Sequence, residues 1–424
     1  MIDRRSIFPK KASLLGARLS WMMFLQYFVM GSTLPILSLY FKDCLHFTGG
    51  QIGIIMSMSS IAALVAPLVG AFIADRVIDA RSLLGICHLA AATVMGFLAF
   101  QSSFASVVLF YLIYVLVMGP TIPLTNAIVF HHFKNAGQNF GNIRVFGTLG
   151  WIAVSIGFGY LWLGGGIGGY AAADRLPDAL KLSAISSAIL GSYAFTLPCG
   201  VRKKSDPVHI VPVESARVLL KPQVLFLAVV SLVIGIVDRY YYFGAGPFLR
   251  HFGFTDGAIM PAMSLGQIVE VVAMGSLAFI LRRLGIKLTL ILGVLAEVWR
   301  FVALSMGTTK LVILSGIACH GIAYALFFTT VYITIDSHTD EKSRTGLHQL
   351  FSIITSGVGS VSASLLAGFC LDTFVIDAPQ GSADYQMFWM IPATASALIL
   401  FALVVFFRGA RHAGRKENPD GCPS

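Results

Sequence analysis

The chain is an almost unbroken series of apolar stretches, each about 22 residues long and so long enough to cross a bilayer as a helix, which fill its 424 residues. It is 56% hydrophobic and only 12% charged, with a mean hydropathy of +0.80. A soluble domain carries about 25% charge. In lipid only helices and closed barrels satisfy every backbone group, and these stretches lack the alternation of barrel strands. The expected fold class is an all-α, polytopic membrane protein.

Twelve spans are expected, at 14–41, 50–76, 81–100, 104–132, 143–164, 178–200, 221–250, 256–283, 286–307, 309–336, 343–372 and 385–408. Lys and Arg in the connecting segments set the orientation. Twenty-three of the 30 fall on the side of the termini, five on the other, and Arg239 and Arg300 lie within spans. That bias predicts both termini in the cytoplasm. It also accounts for the net charge of +10. The basic residues are spread over seven segments rather than gathered in a footprint, which argues against nucleic-acid binding.

The longest polar stretch, 201–220, divides the chain into an N-terminal six-helix bundle (1–200) and a C-terminal one (221–424) with a short basic tail. Two such halves with a substrate site between them near the midplane are a common transporter construction. The link GAFIADRVIDAR (70–81) is echoed by GSLAFILRRLGIK (275–287) at the corresponding place, and Asp75 and Arg76 in the first are structural or gating candidates. The N-terminal apolar run is too long for a cleaved signal. Six scattered cysteines without a CxxC pair suggest neither disulfides nor a metal, and GGIGGY (165–170) lacks the Lys-Ser/Thr of a phosphate loop. No cofactor fingerprint or catalytic cluster is visible.

Ionisable residues at membrane depth are costly and mark function or helix pairing. In the fifth span Arg144, Thr148 and Trp151 share one face at i, i+4, i+7. In the seventh, Asp238 and Arg239 point about 100° apart and are expected not to face one cavity centre together, whereas Arg239 and Tyr242 share a face. In the eighth, Gln267 and Glu270 form an i, i+3 pair; Glu270 is the best candidate to carry a proton, with Asp238 as a second. Glu297 and Arg300 in the ninth can satisfy each other and read as structural. His320, Tyr324 and Phe327 make a stripe in the tenth. Pro120 and Asn126 belong to a Pro-rich bend in the fourth, a gating or structural feature.

Nearly the whole chain resembles the nucleoside:proton symporters of the major facilitator superfamily. The resemblance is carried, in order, by FLQYFVMGS, GGQIGIIMSMSSIAALVAPLVGAFIADR, GPTIPLTN, NIRVFGTLGW, SLGQIVE, RRLGIK, EVWRFVALSMG and HGIAYALFF. It implies the superfamily fold, with Arg144, Thr148, Trp151, Gln267 and Glu270 at the central site and a proton on Glu270. The chain departs from relatives at Asp79, where a Gly is common, and at Ala325, where an acidic residue is usual. Arg239 and Tyr242 also stand where relatives carry neutral amides. The expected protein is therefore no enzyme but a proton-coupled nucleoside importer of a bacterial inner membrane, monomeric and without cofactor. Its substrate contacts would be Arg144, Thr148, Trp151, Arg239, Tyr242, Gln267, Glu270, His320 and Tyr324. Two alternatives stay open: the same fold carrying an anionic aromatic compound or a sugar with protons, and a membrane sensor that binds without transport.

Overall fold

The computed structural model describes residues 10–60, 62, 78–132, 136–164, 175–198, 213–337, 339, 341–376 and 384–407. Helix accounts for nearly all of them. Nine helical stretches among the described residues are long and apolar enough to cross a membrane. We name α1 (Leu14–Asp43), α3 (Ala80–Leu98), α4 (Phe104–His132), α5 (Phe140–Leu163) and α7 (Pro222–His251). The stretch Asp256–Met306 supplies two helices, because Gly285 takes a left-handed φ of 72° that breaks it; α8 precedes this residue and α9 follows it. Then come α10 (Lys310–Asp336), α11 (Gly346–Ile376) and α12 (Tyr385–Phe406). Shorter helices, α2 (residues 49–60) and α6 (Asp178–Ala194), stand where the second and sixth spans are expected.

Local chemistry sets several ends. Ser103, Thr309 and Asp384 cap α4, α10 and α12 by accepting the backbone N–H three residues on. Asp79 caps α3 in the same way: its carboxylate accepts from the Ser82 amide (3.3 Å), the Ser82 hydroxyl (2.8 Å) and Arg81 Nε (3.0 Å). Burial alone would raise the Asp79 carboxyl, yet these bonds hold it below the ordinary carboxylate range. The departure at Asp79 thus has a local reason. The helix of α1 is interrupted at Leu34–Ile36 around Pro35, and that of α4 at Gly119–Pro120.

Packing treats the two ends of the bundle differently. At the end where α1 finishes and α7 finishes, one buried apolar cluster draws on both α1–α6 and α7–α12, including Phe41, Tyr111, Phe158, Phe248, Met260 and Trp389. At the end that carries the basic segments there are two separate clusters. One, around Met22, Leu84, Leu124 and Leu190, belongs to α1–α6. The other, around Val230, Leu290, Phe327 and Phe351, belongs to α7–α12.

Contacts across the divide lie at the shared end. The Arg250 guanidinium of α7 binds Asp43 of α1 (2.6 Å) and Asp256 at the start of α8 (2.6 Å). Asp372 of α11 accepts the first amides of α2, Gly49 N (2.5 Å) and Gly50 N (2.6 Å), where a helix favours negative charge. Glycines bring backbones together there: a Cβ on Gly53 would meet Ser364 O at 2.7 Å, and one on Gly257 would meet Gly164 N at 2.7 Å.

Candidate functional site

Two close helix crossings build the site. On one side α1 meets α5. A Cβ on Gly31 would stand 2.9 Å from Val154 and 3.1 Å from Trp151, and one on Gly147 would collide with the Tyr27 ring at 2.6 Å. Small residues allow such approach between membrane helices. The crossing turns the Arg144–Thr148–Trp151 face inward and seats the Arg144 guanidinium over the Tyr27 ring, 3.9 Å from its centroid. On the other side α8 meets α10. A Cβ on Gly321 would run into the Glu270 amide and the Gly266 carbonyl, and one on Gly266 would meet His320 at 3.0 Å. That contact sets Gln267 and Glu270 beside His320 and Tyr324.

Between the crossings lies a cavity of about 290 Å³. Arg144, Thr148 and Trp151 line it from α5; Asp238, Arg239 and Tyr242 from α7; Gln267 and Glu270 from α8; His320 and Tyr324 from α10. The structure thus gathers every residue expected to contact substrate around one space. It also corrects one expectation: Asp238 and Arg239 both line the cavity. The space is wide enough to touch two adjacent faces of α7. Arg239 is exposed within it, whereas Asp238 is buried at its wall.

Asp238 is tied to a deeper layer. Its Oδ1 lies 3.0 Å from Arg300 Nη1 and 3.2 Å from His320 Nδ1. Arg300 Nη1 in turn reaches Glu297 Oε1 at 3.1 Å, and the guanidinium stacks 3.9 Å from the Tyr241 ring centroid. Glu297 and Arg300 pair with each other, as expected, and neither lines the cavity. Tyr242 Oη lies 3.1 Å from His320 Nε2 and accepts from Gln267 Nε2 at 3.3 Å. Gln267 Oε1 is buried and has no hydrogen-bond partner among the described residues. Arg239 makes no ion pair with a described residue.

Other candidates fall elsewhere. Asp75 and Arg76 lie outside the described residues. Pro120 sits at the interruption of α4 and, like Asn126, does not line the cavity, although Ile122 between them does. Ala325 is fully buried beside the cavity-lining Tyr324, in a π-helical turn spanning Tyr324–Phe328. His88 is buried and held by Ser187 Oγ and Gln26 Oε1, each at 2.9 Å, which is a packing role. Four lining residues were not foreseen: Tyr27, Met30 and Leu34 of α1, and Ile122. The i, i+3, i+7 spacing of the first three was the available signal.

A bundle of membrane-length helices that converges charged and aromatic side chains from α1, α5, α7, α8 and α10 on one cavity has the build of a membrane transporter. Residues 14–412 match the family described as Nucleoside H+ symporter. YegT of Escherichia coli (strain K12) is 30% identical over 403 residues, covering 92% of this chain and 93% of that protein. The xanthosine permease of the same strain is 28% identical over 418 residues, covering 94% and 96%. A crystal structure of a point variant of the nucleoside transporter NupG superposes with a TM-score of 0.83 at 24% identity, covering 93% of this chain and all of that one. The chain belongs to the nucleoside H+ symporter family. It is an integral, multi-pass transporter of the major facilitator type and not an enzyme.

Proposed function

We propose that the protein imports a nucleoside together with a proton across a bacterial inner membrane by alternating access. The observation that carries this reading is the convergence of Arg144, Thr148 and Trp151 from α5 with Gln267 and Glu270 from α8 on one cavity. Trp151 and Tyr324 offer faces for a base, while Thr148 and Gln267 offer hydrogen-bond partners to ribose and base. Glu270 is the cavity carboxylate without an ion-pair partner among the described residues, free to take up and release the coupled proton. Arg239, Tyr242 and His320 complete the second wall, and the Asp238–Arg300–Glu297 cluster holds it in place.

The two six-helix bundles are the moving units, with residues 201–220 joining them. If the basic segments face the cytoplasm, the shared core and the Asp43–Arg250–Asp256 contacts close the outer side, and the split cores leave the inner side parted.

Uptake of radiolabelled uridine into proteoliposomes, with and without an inward proton gradient, tests the reading. Gradient-dependent accumulation is expected. Ligand binding without uptake would make the protein a sensor, and absence of both would remove the nucleoside assignment.

A further inference from the structure

The charges around the cavity divide evenly. Arg144 comes from α5, Asp238 and Arg239 from α7, Glu270 from α8, and Glu297 and Arg300 from α9 behind the wall. Tyr27 of α1 and His320 and Tyr324 of α10 face them. Gln267 N–H donates to Tyr242 Oη, Tyr242 Oη and His320 Nε2 share a hydrogen bond, and His320 Nδ1 stands 3.2 Å from Asp238 Oδ1; the neutral tautomer that carries its proton on Nδ1 fits these positions, with Nε2 accepting from Tyr242. In that tautomer His320 adds no charge. Among the described residues, three guanidinium groups face three carboxylates, and the site is balanced when Glu270 is ionised. A proton on Glu270 leaves one cation in excess. Arg300 is held by two carboxylates and Arg144 by the Tyr27 ring. Arg239 is the guanidinium left open to the cavity.

Both the empty and the loaded site must pass through a state with water excluded, where unbalanced charge is costly. The empty, deprotonated site is balanced. The loaded, protonated site is balanced only when its cargo carries one negative charge. We infer that the preferred cargo is a nucleoside whose base is a monoanion, that Arg239 reads this base, and that base and proton cross together without net charge. This rests on the nucleoside:proton reading above, with Glu270 as proton carrier. A guanidinium presents donors only, in a planar fork. It matches the acceptor-only edge of a deprotonated imide and opposes the N–H of a neutral one. Gln267 Oε1 supplies an acceptor for the remaining donors of the cargo.

The test uses the full-length protein in proteoliposomes under an inward proton gradient, at slightly alkaline internal and external pH. Uptake of 6-azauridine, whose imide is largely ionised there, is compared with that of uridine, which is neutral. A preference for 6-azauridine of about tenfold or more is expected, the worth of one charge-assisted hydrogen bond. Arg239→Gln is expected to bring the two to near parity. Valinomycin and potassium then impose an inside-negative potential on the wild-type protein, and accumulation of 6-azauridine is expected to stay unchanged. A complex carrying one positive charge would instead gain about fiftyfold at about 100 mV. That gain, or uridine taken up as well as 6-azauridine, overturns the inference while leaving nucleoside symport standing. Uptake of neither compound by folded protein overturns the nucleoside reading itself.

Discussion

Glu270 lines the cavity without an ion-pair partner among the described residues, whereas Arg300 lies behind the wall, held by Asp238 and Glu297. Glu270→Gln should abolish accumulation against a gradient yet spare exchange of preloaded substrate, measured as counterflow in proteoliposomes. Continued accumulation by this variant would end the proton assignment. Arg300→Met strands Asp238 and Glu297 in a buried place, and removing one partner of a buried ion pair costs about 3–5 kcal/mol. A clear fall in the thermal midpoint of the detergent-solubilised protein is expected, and an unchanged midpoint would mean the cluster is not structural. Much of this site was legible in the sequence, because a charge in an apolar helix stands out and i, i+3, i+4, i+7 spacing assigns it a face. Tyr27 was legible only as one position on a helical face with Met30 and Leu34, not as a partner of Arg144. An aromatic ring in an apolar helix offers no contrast, and its partner Arg144 is brought to it only by the α1–α5 crossing. Adjacent Asp238 and Arg239 misled for a related reason: spacing gives directions on one helix, not the width of the space the helix borders.

Helices meet at this site through missing side chains. Gly321 lies against the backbone at Glu270, so Gly321→Val must push α10 off α8 and move Glu270 and Gln267 with it. Forced overpacking costs about 1–3 kcal/mol, and substrate affinity is expected to fall with stability. Gly275, also on α8, has open space around it, so Gly275→Ala serves as the control and should leave uptake intact. Equal effects of the two substitutions would show that the crossing has no special role. The rough positions of the nine long apolar helical stretches among the described residues followed from hydropathy alone. The break at Gly285 was anticipated from the basic RRLGIK link, while the interruption at Pro35 was not, since one Pro in a long apolar run gives no boundary.

Among the described residues the two halves share one apolar cluster at one end and keep separate clusters at the other, which composition could not have announced. Hydropathy marks which residues meet lipid or core, but not which end of the bundle the halves share. At that end a few polar contacts add to the common apolar cluster. Asp372→Asn removes a charged acceptor from the first amides of α2, and hydrogen bonds to charged groups are worth about 1.5–3 kcal/mol. The population should move toward the state open at that end, read as longer spin-pair distances between α2 and α11. Unchanged distances would show that Asp372 does not hold that end shut. Glycine also lines this seam, at Gly49, Gly53 and Gly368 between α2 and α11 and at Gly159, Gly164 and Gly257 between α5 and α8. Where glycine backbone lies against backbone in this seam, few side chains are present that could lengthen or swing to follow a retreating partner. Such a seam favours being either shut or apart over a half-sealed shape, the behaviour that alternating access as proposed above requires of the closed end.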